Sequence, residues 1–226
     1  MTSARLIVFD CDGVLVDSEG ISNRILADLI SEAGWPMTTT ECRRAFVGRR
    51  LDDVVKQVEE RLMKPLPVNW LESFELLRNT AFQRHLQPIP YIAEALDQIA
   101  AAGLAQCVAS SGQLTKTRFT LKLTGLSKYF AESHMFSARS VARGKPFPDV
   151  FLHAAASLGF APDECVVIED SVVGVQAALA AGMACLGYCP NDQEAGMSER
   201  AELGAAGAQC FDNMRTLPGL LGLPFG

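Results

Sequence analysis

Apolar runs of strand length alternate with stretches of helical periodicity along most of this 226-residue chain. The first run, Leu6-Ile7-Val8-Phe9, ends in polar residues and predicts a central, buried parallel strand. Further strands are predicted at 104–109, near 134–137, and at 165–169, 183–187 and 208–211. The predicted helices between them cover 91–102, 113–123, 149–159 and 171–181, with another in the tail. Strands that alternate with helices in this order are typical of an α/β doubly wound parallel sheet.

A block without strands separates the first two predicted strands. Ile21, Ile25 and Leu29 recur at helical spacing and are followed by Gly34, which is a frequent helix end. The pattern predicts helices at 19–33, 39–46, 51–63 and 68–85. The fold expected is therefore an α/β core of residues 1–16 and 87–226, with a small helical cap of residues 17–86 inserted after the first strand. Such a cap would cover the carboxyl end of that strand.

Composition and charge narrow the class of protein. The apolar content of 49% and charged content of 20% are typical of a soluble globular protein. The net charge of −6 argues against a nucleic-acid or membrane partner. The seven scattered cysteines indicate free thiols in a reducing compartment. The start of the chain lacks the features of a signal peptide, and no stretch is suited to span a bilayer, so a cytoplasmic location is expected.

Two carboxylates, Asp10 and Asp12, directly follow the first predicted strand. Ligands and metals bind beyond the carboxyl ends of strands in open α/β sheets. Two close carboxylates repel each other, and a cation that prefers oxygen ligands, such as Mg²⁺, would relieve the repulsion. The alternative is an ordinary turn, because Asp and Gly are turn formers. A calcium loop is disfavoured, since Val14 and Val16 interrupt its ligand spacing.

Three further segments carry polar residues that a phosphate and metal site needs. Ser110 and Ser111 follow the second strand, Lys145 precedes a proline-rich helix start, and Glu169-Asp170 follow the strand at 165–169. Hydroxyls and amides at a helix start bind phosphate, and an ammonium group is a point charge for phosphate oxygens. Each feature alone also fits a helix cap, a surface lysine or acids at a helix start. Their order along the chain favours one shared site.

The segments DCDGVLVDSE, VASS, GKPFPDVF and VVIEDSVVGVQAALAAG resemble, in order, the four motifs of the haloacid dehalogenase superfamily. The resemblance is to its phosphatase and phosphomutase branch with a small helical cap, and it covers nearly the whole chain. It implies that Asp10 is the nucleophile and forms a phospho-aspartate with the help of Mg²⁺. Asp12 would be the acid and base, and its backbone carbonyl a metal ligand.

The same resemblance implies the remaining roles. Ser110 and Lys145 would bind the transferred phosphoryl group, with Ser111 next to them. Asp170, together with Glu169 directly or through water, would complete the set of metal ligands that begins with Asp10 and Asp12. In the cap, Gly48 and Arg49 lie in a segment that resembles a substrate-specificity loop. Arg49 would reach a second anionic group of the substrate, or else be a solvated lid residue.

Three functions remain open. The first is a phosphatase of a small sugar or sugar-acid phosphate, with 6-phosphogluconate as one candidate. The second is a mutase that resembles β-phosphoglucomutase, which carries a cap histidine where this chain has Ser22. This difference favours the phosphatase, because serine is a poor proton-transfer group near neutral pH. The third is a catalytically silent binding protein on the same fold. The partner expected is a small phosphate ester, and a monomer is the default.

Overall fold

A parallel sheet of six strands forms the centre of the protein, in a computed structural model that describes residues 4–190 and 193–223. The strands are β1 (Leu6–Phe9), β2 (Ala105–Ser110), β3 (Met135–Ser137), β4 (Cys165–Glu169), β5 (Ala184–Tyr188) and β6 (Gln209–Phe211). Their order in the sheet is β3-β2-β1-β4-β5-β6. The chain winds outward from β1 in both directions, so the predicted doubly wound α/β class is confirmed.

The central strand sets the position of the site through its register. Phe9 lies opposite Val108 of β2 on one side and Ile168 of β4 on the other. Asp10 therefore leaves the sheet level with Glu169, and Ser110 ends β2 at the same edge. This edge is the carboxyl end of the strands, where a parallel sheet binds its ligands.

Five helices lie between β1 and β2 in the chain; the first four form the helical block, and the fifth and the later helices cover the sheet. The first four are α1 (Glu19–Ala33), α2 (Thr39–Phe46), α3 (Leu51–Leu62) and α4 (Trp70–His85). The others are α5 (Ile92–Ala101), α6 (Leu114–Leu123), α7 (Asp149–Leu158), α8 (Val172–Ala180), α9 (Gln193–Ala205) and α10 (Leu217–Leu220). The sequence pattern predicted the first eight with small differences at their ends. It did not predict α9, whose sequence has no clear apolar stripe.

Three apolar clusters hold these elements together. Ile7 and Phe9 point into a cluster on one face of the sheet, and Leu6 and Val8 into a cluster on the other. Side chains of β1 thus alternate between the two faces, as in any strand. A third cluster lies within α1–α4, where Ile30 is fully buried. The helical block therefore has a core of its own, while the limits 17–86 of the cap stay a prediction.

The chain leaves and re-enters the sheet through two neighbouring segments. The Asp17 N–H donates to the Gln87 carbonyl at 2.9 Å, and the Ile89 N–H donates to the Leu15 carbonyl at 3.0 Å. The two chain crossings between the sheet and the helical block thus lie next to each other. Within the described ranges, none of the helices has the length and apolar character needed to cross a membrane.

Candidate active site

The residues predicted from the sequence converge at the carboxyl edge of the sheet. One cleft between the sheet and α1–α4 is lined by Asp10, Asp12, Gly48, Arg49, Ser111 and Asp170, among other residues. Ser110, Lys145 and Glu169 are buried next to it. The Ser110 hydroxyl accepts a hydrogen bond from the N–H of Gly112, which lines the cleft. Four segments that are distant in the chain therefore meet at one place.

A buried lysine ties two of these strand ends together. The Lys145 ammonium donates to Asp10 Oδ1 at 2.5 Å, to Glu169 Oε1 at 2.6 Å and to the Ala109 carbonyl at 3.2 Å. Only 1% of its side chain is exposed. Burial by itself would lower the pKa of Lys145, but the charges of Asp10 and Glu169 outweigh it and raise this pKa above its usual value. The lysine is therefore a fixed positive charge.

The negative charge of Asp10 is only partly compensated by its neighbours. Burial raises the pKa of its carboxyl to about 7, the Lys145 ammonium opposes this rise, and the charges of Glu169 and Asp12 add to it. Lys145 binds Oδ1, whereas Oδ2 accepts no hydrogen bond from the residues that the structure describes. One oxygen is thus held in place and the other is left for a ligand in the cleft.

Asp170 lines the same cleft, and its negative charge is compensated even less. Its carboxylate accepts no hydrogen bond and forms no ion pair within residues 4–190 and 193–223. Burial raises its pKa well above the usual value, and the charges of Glu19, Glu169 and Asp10 raise it further. Carboxylate oxygens in such mutual repulsion are the donors that a divalent cation prefers, so the chemistry of this pair fits Mg²⁺.

Glu169 is already engaged by hydrogen bonds. Its Oε1 accepts from Lys145, and its Oε2 accepts from the Asp170 N–H, the Ser171 N–H and the Ser171 hydroxyl, at 2.9–3.0 Å. The described part of the chain holds no three side chains of His, Cys, Asp or Glu already grouped as a metal site. Glu169 thus orients Lys145 and the start of α8, and unlike Asp170 it is buried and does not line the cleft.

Asp12 has partners different from those of Asp10. Its Oδ1 accepts a hydrogen bond from the Ser18 hydroxyl at 2.5 Å and pairs with the Lys116 ammonium. Burial would raise the pKa of Asp12, but Lys116 and Ser18 outweigh burial and lower it. The two aspartates that start the site therefore differ in charge environment although one residue separates them.

The segment that joins α2 and α3 closes over the sheet edge. The Ser111 hydroxyl donates to the Gly48 carbonyl at 2.9 Å. Gly48 has φ +75°, and a Cβ there would lie 2.4 Å from Ser171 Oγ, so a larger residue would push this segment away. Arg49 is exposed, lines the cleft and takes part in no ion pair with any described residue. Arg43 pairs with Glu199 at 3.2 Å, and Asp52 with Arg139 at 2.8 Å, so ion pairs join α2 and α3 to the sheet side.

Comparison with known proteins agrees with this geometry. Residues 7–188 match the family model described as haloacid dehalogenase-like hydrolase. The chain belongs to this family. The predicted family and the prediction of a hydrolytic enzyme are thereby confirmed.

The haloacid dehalogenase-like hydrolase is similar to several known proteins over most of its length. It is 29% identical over 192 residues to 6-phosphogluconate phosphatase of Escherichia coli, across 84% of both chains. It is 30% identical over 186 residues to hexitol phosphatase A of the same organism, across 77% of this chain and 78% of that one. The crystal structure of a conserved haloacid dehalogenase-like protein from Agrobacterium tumefaciens superposes with a TM-score of 0.79 and 35% identity, covering 97% of this chain and 98% of that one.

Three cations that line the hydrolase's cleft, Lys116, Arg78 and Arg139, were not predicted from the sequence. Lys116 lies in the first turn of α6, where the helix dipole disfavours a positive charge, and this unfavourable position is a weak signal that could have found it. Arg78 is buried in the middle of α4 and lines the cleft. Its position within α4 gave no signal, because only the packing of α4 shows which way it points.

Proposed function

We propose that this hydrolase is a Mg²⁺-dependent phosphatase that hydrolyses a small phosphorylated sugar or sugar acid through a phospho-aspartate on Asp10. The observation that carries the proposal is the state of Asp10. Lys145 holds Oδ1 at 2.5 Å, while Oδ2 has no hydrogen-bond partner in the described part of the chain. A carboxylate fixed in this way at the floor of a cleft is suited to attack in line.

The reaction has two steps. Asp10 Oδ2 attacks phosphorus, the bond from phosphorus to the ester oxygen breaks, and Asp12 gives this oxygen a proton. Asp12 then takes a proton from a water molecule, which attacks the phospho-aspartate and releases phosphate. Lys116 and Ser18 stabilise the ionised form of Asp12, which the second step requires, whereas the first step requires its protonated form. Lys145 and Ser110 bind the phosphoryl oxygens during both steps, with Ser111 beside them.

The metal ligands in this proposal are the carboxylates of Asp10 and Asp170 and the backbone carbonyl of Asp12. Mg²⁺ would neutralise charge between the carboxylate and the phosphate, two anions that otherwise repel. Since both oxygens of Glu169 already accept hydrogen bonds, we assign it to hold the metal through water rather than directly.

The substrate class follows from the cleft and from the relatives. Two relatives are named for the phosphate esters of a sugar acid and of a sugar alcohol: 6-phosphogluconate phosphatase and hexitol phosphatase A. Gly48 brings the backbone of the cap close to the sheet edge, and Arg49 adds a cation with no ion-pair partner among the described residues. We assign Gly48 and Arg49 to contact the part of the substrate that is not transferred.

The mutase remains the second candidate, with less support. Ser22 lines the cleft, at the position where the resemblance expects a histidine in β-phosphoglucomutase. A serine hydroxyl does not titrate near neutral pH and is a poor proton-transfer group, so water rather than a sugar hydroxyl is the expected acceptor. Conversion of β-glucose 1-phosphate to glucose 6-phosphate, primed by a bisphosphate, would support the mutase instead.

The test is phosphate release from p-nitrophenyl phosphate and from a panel of sugar and sugar-acid phosphates, with and without Mg²⁺. Asp10→Asn should lower kcat by at least about 1,000-fold, because it removes the nucleophile. Asp97→Asn, an exposed aspartate of α5, is the matched control and should leave kcat unchanged. Intact-mass measurement after acid quench should find one phosphoryl group on the wild type and none on Asp10→Asn. Metal-independent turnover, or full activity of Asp10→Asn, would contradict the proposal.

A further inference from the structure

One buried arginine of the helical block forms no ion pair, although the charges of Asp12 and Glu75 act on it from a greater distance. Arg78 of α4 is only 9% exposed. Its guanidinium lies over the rings of Phe74 and Phe82, at 5.1 and 5.8 Å from their centroids. No carboxylate of the described residues lies within ion-pair distance of it. A buried cation without an ion-pair partner is costly, so an anionic ligand group at this place would be stabilised.

The hydrogen bonds of Arg78 leave part of its guanidinium free. Nε and Nη2 donate to Asn79 Oδ1 at 3.3 and 3.2 Å, and this neutral amide is the neighbouring residue. Nη1 has no hydrogen-bond partner in the described part of the chain, and it is not sealed off from the cleft that Arg78 lines. The free donor therefore belongs to a side chain that lines the cleft in which a substrate would bind.

The surroundings of Arg78 favour an anion at this place. Lys116 lines the same cleft, and its ion-pair partner Asp12 belongs to the proposed catalytic groups. Glu75 lies one helical turn before Arg78 and also lines the cleft, but it forms no ion pair with Arg78. The aromatic rings on α4 fix the plane of the guanidinium, so it loses little freedom when it binds.

We propose that Arg78 binds a carboxylate on the part of the substrate that remains after phosphate transfer, and so selects sugar-acid phosphates over neutral sugar phosphates of the same length. The planar guanidinium matches the two oxygens of a carboxylate, whereas a hydroxymethyl group in the same position would leave its charge unpaired. This inference rests on the proposed phosphatase function and adds a selecting residue to it.

A matched pair of substrates tests the inference. 6-Phosphogluconate and glucitol 6-phosphate are open-chain compounds of equal length that differ by a carboxylate in place of a hydroxymethyl group. The wild type should prefer the first by about tenfold or more in kcat/KM. Arg78→Gln should lower kcat/KM for 6-phosphogluconate by about 100-fold and for glucitol 6-phosphate by less than about threefold. Arg78→Lys should keep part of the preference, because it keeps the charge.

Controls separate this role from a structural one. Arg84→Gln removes an exposed arginine of the same helix and should change neither substrate's kcat/KM. If Arg78→Gln has a melting temperature far below that of the wild type, Arg78→Lys becomes the deciding variant. The ratio of its kcat/KM for 6-phosphogluconate to its kcat/KM for glucitol 6-phosphate then tests the inference. Equal losses on both substrates, or a wild type without preference, would overturn the inference.

Binding to the Asp10→Asn protein tests Arg78 without turnover. Calorimetry in the presence of Mg²⁺ should compare the Asp10→Asn protein with the Asp10→Asn/Arg78→Gln double variant. The double variant should bind 6-phosphogluconate more weakly and glucitol 6-phosphate with unchanged affinity. If the wild type hydrolyses no phosphate ester, the proposed function fails, yet carboxylate-dependent binding through Arg78 would still uphold this inference. If neither compound binds, or Arg78→Gln weakens both equally, the inference fails.

Discussion

Two glycines shape the proposed site as much as its charged residues do. A Cβ on Gly174 would lie 1.9 Å from Glu169 Cδ, and a Cβ on Gly13 would lie 1.9 Å from Asp170 Oδ2. Gly13 also has φ +74°, which disfavours any other residue. Both glycines leave the space in which a carboxylate of the site is seated.

Gly174→Ala should therefore damage the site and the fold together. Its methyl group would push Glu169 away from Lys145 and Ser171, and overpacking of this kind costs about 1–3 kcal/mol. We expect a lower melting temperature and a loss of activity of about tenfold or more, measured by thermal denaturation and phosphate release.

Gly20→Ala is the control, because nothing lies within 4 Å of its Cβ and it is in α1. That variant should gain about 0.5–1 kcal/mol of stability. Wild-type stability and activity of Gly174→Ala would contradict the steric argument.

The sequence alone predicted the groups that follow strands but not those on helices. Asp10, Ser110 and Asp170 each come right after an apolar run, so the parallel sheet dictates that they meet. Lys116 and Arg78 lie within helices, and a helical residue can face the sheet, the solvent or the cleft. Only the packing of α6 and α4 decides among these, and packing is a property of the whole fold.

At the scale of elements, α2 has a defined start. The Thr38 hydroxyl accepts from the Glu41 N–H at 3.2 Å, and Glu41 Oε2 accepts from the Thr38 N–H at 2.8 Å. This capping box satisfies two backbone groups that a helix start leaves unpaired. It fixes the beginning of the helix that carries Arg43 and leads to Gly48.

The charge of Glu41 should make the stability of this helix depend on pH. The hydrogen bond from the Thr38 backbone, followed by that from the Thr38 side chain, lowers the pKa of Glu41 below its usual value. A carboxyl whose pKa is lower in the folded state stabilises the fold above its unfolded pKa, and this contribution disappears as the pH falls through the folded pKa.

Glu41→Gln should thus melt below the wild type at pH 7, and the two should approach each other near pH 3. The neutral amide keeps a hydrogen-bond acceptor but loses the charge, so the variant isolates the titration. Thermal denaturation across this pH range measures the difference. Glu32→Gln, at an exposed position near the end of α1, is the control and should melt with the wild type throughout. A difference for Glu41→Gln that does not change with pH would rule out the charge as its cause.

Helices and strands with a clear pattern of apolar residues were predictable from the sequence, and those without such a pattern were not. β1 is a short apolar run and α1 an amphipathic stretch, and the structure has both as predicted. α9 holds Gly196 and Gly204 within 13 residues, which lowers its intrinsic helix propensity. Contacts with β5, β6 and α8 hold it in place, and such contacts are not visible in local sequence.

At the scale of the whole molecule, topology creates the charge balance of the site. Lys145 and Asp10 are 135 residues apart in the chain and share a hydrogen bond. The sheet brings Asp10, Glu169 and Asp170 together, and Lys145 compensates the first two. Asp170 is left in a surplus of negative charge that burial makes worse.

Metal removal should expose this surplus. Asp170→Asn should raise the stability of the chelator-treated protein at pH 7 by on the order of 1 kcal/mol, since it removes one of several repelling carboxylates. The same variant should lose Mg²⁺-dependent phosphate release. Thermal denaturation with EDTA and with Mg²⁺ measures both effects, because Mg²⁺ should stabilise the wild type and not the variant. Asp163→Asn is the control, because Asp163 is exposed and precedes β4, whereas Asp170 follows it. A less stable metal-free Asp170→Asn would contradict the repulsion.

The two crossings between the sheet and α1–α4 lie side by side, with Asp17 bonded to Gln87 and Leu15 to Ile89. An inserted segment whose two ends meet can be replaced by another without moving the strands that flank it. Recombination at these crossings would exchange Arg49 and Arg78 as one unit and leave Asp10, Lys145 and Asp170 untouched. In evolutionary terms, the residues proposed to select the substrate and those proposed to transfer phosphate can therefore be inherited separately.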